Sequence, residues 1–322
     1  MEPTRFFDDL TLIPEKLGHL ADQLELGLPG LDQAVLPAAG RVLILGMGSS
    51  AYAADVIARD ARATGLNVVV ELASSRTLPP PATDLTVIAI SATGGSVEVL
   101  AAIEPYVGQG RLVAVTNRPD SALARAADAV VELHAGIEAS GIACRTFRHT
   151  LLTAAALLDP SASGSSARVA AARQAAESTQ VLIDTRADWV ADVADTLGGP
   201  DGTWALAPVE RLSSARQTAL MMREVPRRTA YASETGDWSH VDVYLTKTQD
   251  YRALVFAGSA WDAQALEWMH ERGSTLISVG GALTGATQCI RYPGDTDENV
   301  ARLTEVIVGE LVAEHWWRAL QG

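Results

Sequence analysis

Lysine is nearly absent from this chain of 322 residues, with Lys16 and Lys247 as the only two. Counting 25 basic and 39 acidic side chains, the formal net charge is −14. Because proteins bind nucleic-acid backbones with clusters of Lys and Arg, this balance argues against a nucleic-acid partner. The shortage of lysine also limits any mechanism that needs a lysine Schiff base. An anionic ligand must be held by hydroxyls and backbone dipoles, against an unfavourable overall field.

Cysteines and long apolar runs are scarce as well. Cys144 and Cys289 form neither a CxxC pair nor a Cys/His metal spacing, so a reduced, cytoplasmic compartment is the simplest interpretation. No run of about 18 apolar residues is present, and we therefore expect no membrane span. The first residues show no basic segment followed by an apolar one, so we expect no signal peptide.

A regular alternation of apolar strands and helices fills most of the chain. Runs such as Val42–Leu45 and Thr86–Ile90 are almost continuously apolar, which is typical of parallel strands covered on both faces. Residues 159–166 read as an exposed linker, after which a long helix over 167–196 and a second strand–helix alternation follow. The sequence therefore predicts an α/β protein with two pseudo-equivalent domains. We place them at residues 1–165, beginning with a helix over 9–28, and at 166–322.

The segment Ser91–Ser96 follows the apolar run Leu85–Ile90 and precedes a predicted helix over Val97–Ile103. A glycine-rich turn between a buried strand and a helix directs backbone N–H groups outward and forms a cradle for a phosphate. Hydroxyl groups can add hydrogen bonds to such an anion, here those of Ser91, Thr93 and Ser96. No lysine follows the second glycine as in a nucleotide P-loop, so a phosphorylated metabolite fits better than a Mg-nucleotide.

A second turn, Gly46-Met47-Gly48-Ser49-Ser50, follows the first predicted strand. Its glycines could suggest a dinucleotide fingerprint, but Ala51 stands where the third glycine would be required. We interpret the turn as a second hydroxyl-lined loop beside the cradle, at the carboxyl ends of neighbouring strands. Open α/β sheets bind their ligands in that crevice.

Several segments, in order, resemble the sugar isomerase (SIS) domain family, and in particular its tandem-SIS isomerases. The matching segments are Gly48–Ser50, Glu71–Ser74, Ser91–Ser96, Asn117–Leu123 and Gly141–Cys144. In the second half, Arg223-Glu224-Val225 and Ser239-His240 keep the family's sixteen-residue spacing between a glutamate and a histidine. The resemblance implies two SIS-type three-layer αβα domains, each with a mainly parallel, flavodoxin-like sheet, the second having a degenerate ligand loop.

The resemblance also implies roles for particular residues. The positions that hold the sugar phosphate are matched by Ser50, Ser91, Thr93 and Ser96. Glu224 matches the base that moves a proton between C1 and C2, and His240 matches the residue that assists ring opening. Further substrate-site candidates are Gly48, Ser49, Ala92, Gly94 and Cys144. We therefore expect a phosphosugar aldose–ketose isomerase, or an isomerase/deaminase of an amino-sugar phosphate.

The resemblance implies no cofactor or metal and a homodimer with its site near the subunit interface, where the histidine acts within its own chain or across to the partner. Asp237, His240 and Asp242 could suggest a metal site, but one histidine without a second is poor support. No N-terminal cysteine is present, so we expect no glutamine-hydrolysing domain, and no lysine is found in the tail for imine chemistry.

The sequence departs from the family pattern at two places. Cys144-Arg145-Thr146 stands where Ser-Thr-Lys is usual, and His240 is followed by Val241-Asp242 in place of Gly-Pro. These departures leave a second hypothesis open, a non-catalytic phosphosugar-binding sensor or regulatory protein. A DNA-binding regulator is disfavoured because no basic helix-turn-helix segment precedes the first domain.

Overall fold

The computed structural model describes residues 2–34, 36 and 40–321. Its α-helices are α1 (Pro3–Thr11), α2 (Ile13–Leu26), α3 (Ser49–Ala63), α4 (Val97–Ile103), α5 (Ala122–Ala126), α6 (Arg145–Leu158), α7 (Ala162–Asp184), α8 (Val190–Leu197), α9 (Leu212–Glu224), α10 (Thr235–Trp238), α11 (Asp262–Glu271), α12 (Glu298–Thr304) and α13 (Val306–Ala319). Its strands are β1 (Arg41–Gly46), β2 (Asn67–Leu72), β3 (Leu85–Ile90), β4 (Arg111–Thr116), β5 (Ala129–Glu132), β6 (Thr203–Ala207), β7 (Ala230–Glu234), β8 (Arg252–Phe256), β9 (Thr275–Val279) and β10 (Gln288–Ile290).

The chain divides into two compact units. The first unit consists of Glu15–Glu138 and Ala143–Arg173 and contains strands β1 to β5. The second unit contains β6 to β10; it comprises the chain from Gln174 onward, Pro14 with the residues before it, and Ala139–Ile142. The domain division at residues 165 and 166 stays a prediction.

The sheet of the first unit has the order β2-β1-β3-β4-β5, and every neighbouring pair is parallel. All six residues of β3 are buried, as are most of those in β1 and β4, because helices cover both faces of the sheet. This is the flavodoxin-like order, in which β2 is added on one side of β1 and β3, β4 and β5 are added on its other side, so that the strand order reverses between β1 and β3. The crevice for a ligand is therefore expected at the carboxyl ends of these two strands.

The sheet of the second unit has the order β10-β9-β8-β6-β7 and is also entirely parallel. When its strands are renumbered from β6 as the first, the order read from the β7 edge is 2-1-3-4-5, which is the flavodoxin-like order of the first sheet. The central strands β6 and β8 are almost wholly buried, and Trp204 of β6 stacks on Tyr251 with ring centroids 4.2 Å apart. The predicted α/β fold with two mainly parallel sheets is confirmed.

Two helix predictions and one linker prediction were wrong in detail. The expected helix over 9–28 is two helices, since Pro14 cannot donate the hydrogen bond that would continue α1 and instead occupies the first turn of α2. The expected linker over 159–166 already contains the start of α7, where the Ser161 hydroxyl accepts the Gly164 N–H. The expected helix over 167–196 breaks after Asp184, and the Arg186 guanidinium donates to the carbonyl of Ile183.

Within the described part of the chain, every helix falls short of the length or the apolar character that crossing a bilayer requires.

Candidate functional site

Ser91 opens the loop that follows β3. Its side chain is buried, and its hydroxyl accepts the Gly94 N–H at 3.1 Å and lies 3.0 Å from the Ser96 hydroxyl. The Thr93 hydroxyl accepts the Gly95 N–H at 3.3 Å. The three hydroxyls named from the sequence therefore belong to one loop, in which they support the backbone and leave Thr93 and Gly95 exposed.

Gly94 fixes the shape of this loop. Its φ is +61°, in the left-handed region, and a Cβ built on it would lie 2.0 Å from the Ser121 hydroxyl oxygen. The Gly94 carbonyl accepts the Leu123 N–H at 3.0 Å, and the Ala92 carbonyl accepts the Asn117 N–H at 3.1 Å. The turn after β4 thus packs directly against the loop after β3, and this close approach leaves no room for a side chain at Gly94.

The Gly48 turn lies at the neighbouring strand end. Gly48 has φ +51° and precedes α3, whose Tyr52 N–H donates to the Gly48 carbonyl at 3.0 Å. Ser49 and Ser50 are half-buried in the first turn of that helix. Because β1 pairs with β3, the turns after both strands meet at one edge of the sheet, at the point where the strand order reverses. The turn that contains Gly48, Ser49 and Ser50 and the loop Ser91–Ser96 therefore lie at the same edge of the sheet.

Cys144 lies at the start of α6 in the same unit. Its side chain is fully buried, and its carbonyl accepts a hydrogen bond from Arg148 at 2.8 Å. Its backbone N–H donates to a carboxyl oxygen of Glu138 at 2.8 Å. Cys144 is therefore a buried residue at the start of a helix, and its backbone N–H is hydrogen-bonded to the Glu138 carboxylate.

Glu138 is a residue that sequence reasoning missed. One of its carboxyl oxygens, Oε1, also accepts the N–H groups of Arg145 at 2.6 Å and Thr146 at 3.1 Å, while Oε2 accepts the Thr146 hydroxyl at 2.6 Å. Burial raises the pKa of Glu138, and these donors oppose that rise by favouring the charged form. The residue stands outside the helix it caps, unlike the glutamate of a capping box, so no local pattern could have identified it.

His149 is fully buried on α6. Its Nδ1 lies 2.5 Å from the carbonyl oxygen of Leu133, directly after β5. Burial lowers the pKa of His149 to about 3, and the nearby Arg145 and Arg148 add to that effect. The imidazole is therefore neutral at physiological pH, and it joins α6 to the residue that follows β5.

Glu224 and His240 lie in the second unit. Glu224 is the last residue of α9; it is half-buried and lines a pocket of about 320 Å³ together with Arg227, Trp317 and Gln321. His240 is exposed, just beyond α10, and its N–H donates to the Asp237 carbonyl at 2.9 Å.

Of the two carboxylates considered for a metal near His240, those of Asp237 and Asp242, the second is used locally. Glu234 accepts the Asp237 N–H at 2.8 Å as the cap of α10, and the Asp242 carboxylate accepts the hydroxyl of Ser233. Over residues 2–34, 36 and 40–321, no group of three or more His, Cys, Asp or Glu side chains is arranged to hold a metal ion.

Residues 36–159 match the SIS domain family. Two curated relatives are glutamine–fructose-6-phosphate aminotransferases (isomerizing). The protein of Sulfolobus acidocaldarius is 28% identical over 143 residues, which cover 44% of this chain and 24% of the relative. The protein of Aeropyrum pernix is 38% identical over 116 residues, covering 34% of this chain and 18% of the relative. These matches thus span less than a quarter of the relatives' lengths.

Solved structures extend the likeness to both units. The C-terminal domain of glucosamine-fructose-6-phosphate aminotransferase from Francisella tularensis has a TM-score of 0.79 at 17% identity, with 99% of this chain and 96% of that one covered. Tagatose-6-phosphate ketose/aldose isomerase from Escherichia coli has a TM-score of 0.70 at 18% identity, with 99% and 91% covered. At these identities the likeness shows the fold. Residues 36–159 of this chain are therefore a SIS domain, homologous to the isomerizing aminotransferases, within a fold shared with phosphosugar isomerases.

Proposed function

We propose that the protein is a phosphosugar aldose–ketose isomerase. The observation that carries this proposal is the meeting of two glycine- and hydroxyl-containing turns, after β1 and β3, at the strand-order reversal of a SIS domain. A crevice of this kind is where open α/β sheets bind anionic ligands. The relatives and fold neighbours named above, which bear names of sugar-phosphate enzymes, favour a sugar phosphate as that ligand.

The phosphate is proposed to be held by hydroxyl donors and backbone N–H groups. The hydroxyls belong to Ser50, Ser91, Thr93 and Ser96. Ser91 and Ser96 already lie 3.0 Å apart, so a phosphate oxygen can replace one of them as the other's partner. The nearby backbone of Gly48, Ser49, Ala92 and Gly94 supplies further contacts to the substrate. Cys144 remains a candidate substrate contact because it lies at the start of α6. With a net charge of −14, the protein offers little long-range attraction, so short-range donors must provide the affinity.

The chemistry proposed for the sugar end needs two groups. His240 protonates the ring oxygen and accepts the proton of the anomeric hydroxyl, which opens the ring. Glu224 then takes the proton from C2 of the aldose, leaving an enediolate; the proton on O2 moves to O1, and Glu224 returns its proton to C1 to give the ketose. A carboxylate in a partly desolvated pocket suits this shuttle, and no metal or organic cofactor is needed for it. If the sugar carries an amine at C2, the same proton transfer gives an imine at C2, which water hydrolyses to the ketose and ammonia.

We further propose that the enzyme is a cytoplasmic homodimer with its site near the subunit interface. The two-domain division at residues 165 and 166 belongs to this proposal as well. Sedimentation measurements on the purified protein would establish the oligomeric state, and a monomer that retains full activity would contradict the dimer.

The proposed function is tested by proton exchange. Hexose, hexosamine and pentose phosphates are screened by thermal shift, and each stabilising compound is incubated in D₂O and followed by proton NMR at C1 and C2. We expect deuterium uptake that is lost in Glu224→Gln and retained in Glu271→Gln, a matched change of an exposed glutamate on α11.

Two results would contradict the proposal. Binding without exchange over hours would remove the isomerase and leave the phosphosugar sensor. Absence of stabilisation by every sugar phosphate would show that the Ser91–Ser96 loop does not bind phosphate.

A further inference from the structure

The pocket beside Glu224 is lined by one positively charged side chain. Arg227 stands three residues beyond Glu224 and lines the same pocket of about 320 Å³, with Trp317, Leu320 and Gln321 on other parts of its wall. A volume of this size falls at the small end of the range for ligand pockets. The pocket therefore combines one carboxylate and one guanidinium with an indole and an amide, a set of groups that suits a small polar ligand.

The backbone at Arg227 adopts a conformation that arginine rarely takes. Its φ is +58°, in the left-handed region, and the turn is held by the Arg228 N–H, which donates to the Met222 carbonyl at 2.9 Å. A helix end of this type usually has Gly or Asn at the left-handed position, and another residue costs about 1 kcal/mol there. Strained non-glycine residues cluster at functional sites, where the side chain is worth its conformational cost.

The side chain of Arg227 is not used by the fold. It is exposed, and among the described residues it makes no ion pair, hydrogen bond or ring contact. Its neighbours differ: Arg223 donates to the Ala230 carbonyl, and the Arg228 guanidinium lies 4.4 Å from the centre of the Trp316 ring. In a chain with 39 acidic side chains, an arginine free of internal partners is available to a ligand.

The proposed reaction needs a cation at this place. When Glu224 removes a carbon-bound proton, negative charge develops on an oxygen of the sugar, and a guanidinium within reach of that oxygen stabilises such charge more in the transition state than in the ground state. Lys247, the one lysine of the second unit, lies 5.7 Å from the centre of the Tyr244 ring and is not part of this pocket. Arg227 is therefore the cation that the pocket offers.

We propose that Arg227 contacts the sugar at its C1–C2 end and stabilises the enediolate oxygen that forms when Glu224 takes the proton. This inference rests on the proposed isomerase function. A guanidinium cannot form an imine, so the arrangement favours proton-transfer isomerisation of a sugar phosphate and disfavours covalent attachment of the ketose.

The test uses Arg227→Gly, Arg227→Lys and the control Arg223→Gln, an exposed arginine of α9 outside the pocket. Glycine suits the left-handed backbone, so the melting temperature of Arg227→Gly should match or exceed that of the unaltered protein. We expect its kcat for C1–C2 exchange to fall about 100- to 1,000-fold with little change in sugar-phosphate affinity. Arg227→Lys should recover part of the rate, as should millimolar guanidinium added to Arg227→Gly.

The outcomes separate this inference from the function on which it rests. If the unaltered protein exchanges and Arg227→Gly keeps its kcat within about threefold, the inference is wrong and the isomerase stands. A fall in affinity at unchanged kcat would also overturn it, because it would assign Arg227 to ground-state binding. If the unaltered protein shows no exchange on any sugar phosphate, the proposed function fails first and the inference fails with it.

Discussion

Two glycines of the first unit share a left-handed backbone but differ in their surroundings. Gly94, in the Ser91–Ser96 loop, has φ +61° and faces the Ser121 side chain, whose Cβ lies 2.4 Å from the position of an added methyl group. Gly108, in the turn after α4, has φ +71° and no atom within 4 Å of that position. The pair therefore separates the cost of the backbone conformation from the cost of the steric clash.

Substituting alanine at both positions gives a matched comparison. Gly108→Ala should lower the free energy of unfolding by about 1 kcal/mol, the conformational cost alone. Gly94→Ala must also displace Ser121 or the loop, so we expect a loss larger by about 2 kcal/mol. Sugar-phosphate binding should be lost in Gly94→Ala only. Urea denaturation and calorimetry measure both effects, and equal losses from the two substitutions would contradict the loop geometry.

At the scale of elements, the start of α6 depends on Glu138. A buried helix start leaves N–H groups without partners, and here a carboxylate from outside the helix accepts three of them together with the Thr146 hydroxyl. Arg145 ties the same segment down by donating to the carbonyls of Ala135 and Ile137. The segment between β5 and α6 is thus held by these polar contacts in addition to the burial of Leu133, Ala135 and Ile142.

Removing the carboxylate should destabilise the first unit. We expect Glu138→Ala to lower the free energy of unfolding by about 2 kcal/mol, since buried N–H groups lose their acceptor. Glu138→Gln should cost less, because an amide oxygen can still accept them. Glu104→Ala, at an exposed position after α4, serves as the control and should change stability by less than about 0.5 kcal/mol. A result for Glu138→Ala within the range of that control would remove the capping role.

Elements whose stability comes from continuous apolar runs could be predicted from the sequence, and those held by specific contacts could not. The predicted strands β1 and β3 are buried and rich in Val, Leu and Ile. β7 and β10 were missed because edge strands with sequences such as Ala-Tyr-Ala-Ser-Glu or Gln-Cys-Ile lack such a run.

The same distinction applies to the candidate site. The loop after β3 could be recognised because its glycines and hydroxyls follow a buried strand. Glu138 and Arg227 could not, since one acts on a helix six or more residues away and the other occupies a backbone region where sequence statistics favour glycine.

On the scale of the whole molecule, the two sheets share one strand order but differ at their carboxyl edges. In the second unit, the Gly258 N–H after β8 donates to the Asp262 carboxylate at 2.7 Å. Arg211, after β6, forms a buried ion pair with Glu305 and donates to the Ala257 carbonyl at 2.6 Å. Burial raises the pKa of Glu305 to about 7, an effect that Arg211 opposes. Internal charges thus occupy the edge that corresponds, in the first unit, to the turns after β1 and β3.

We therefore expect one sugar phosphate per chain. Isothermal titration calorimetry should give a stoichiometry of one, and the heat should vanish in a variant combining Ser91→Ala and Ser96→Ala. Ser259→Ala, which alters the turn after β8, should bind like the unaltered protein. Two sites per chain, or a heat that depends on Ser259, would show that the second edge remains open to ligands.

The hydrogen bond between Gly258 and Asp262 also bears on how the protein responds to the supply of its sugar phosphate. A turn that carries its own carboxylate keeps its shape whatever the concentration of metabolite. Under the proposed function, the turn after β3 gains an equivalent acceptor only while sugar phosphate is present, and ligand binding stabilises the folded state by mass action. Starvation for the sugar would then lower the protection of the turn after β3, and amide hydrogen exchange or limited proteolysis would record the supply of sugar phosphate at that turn.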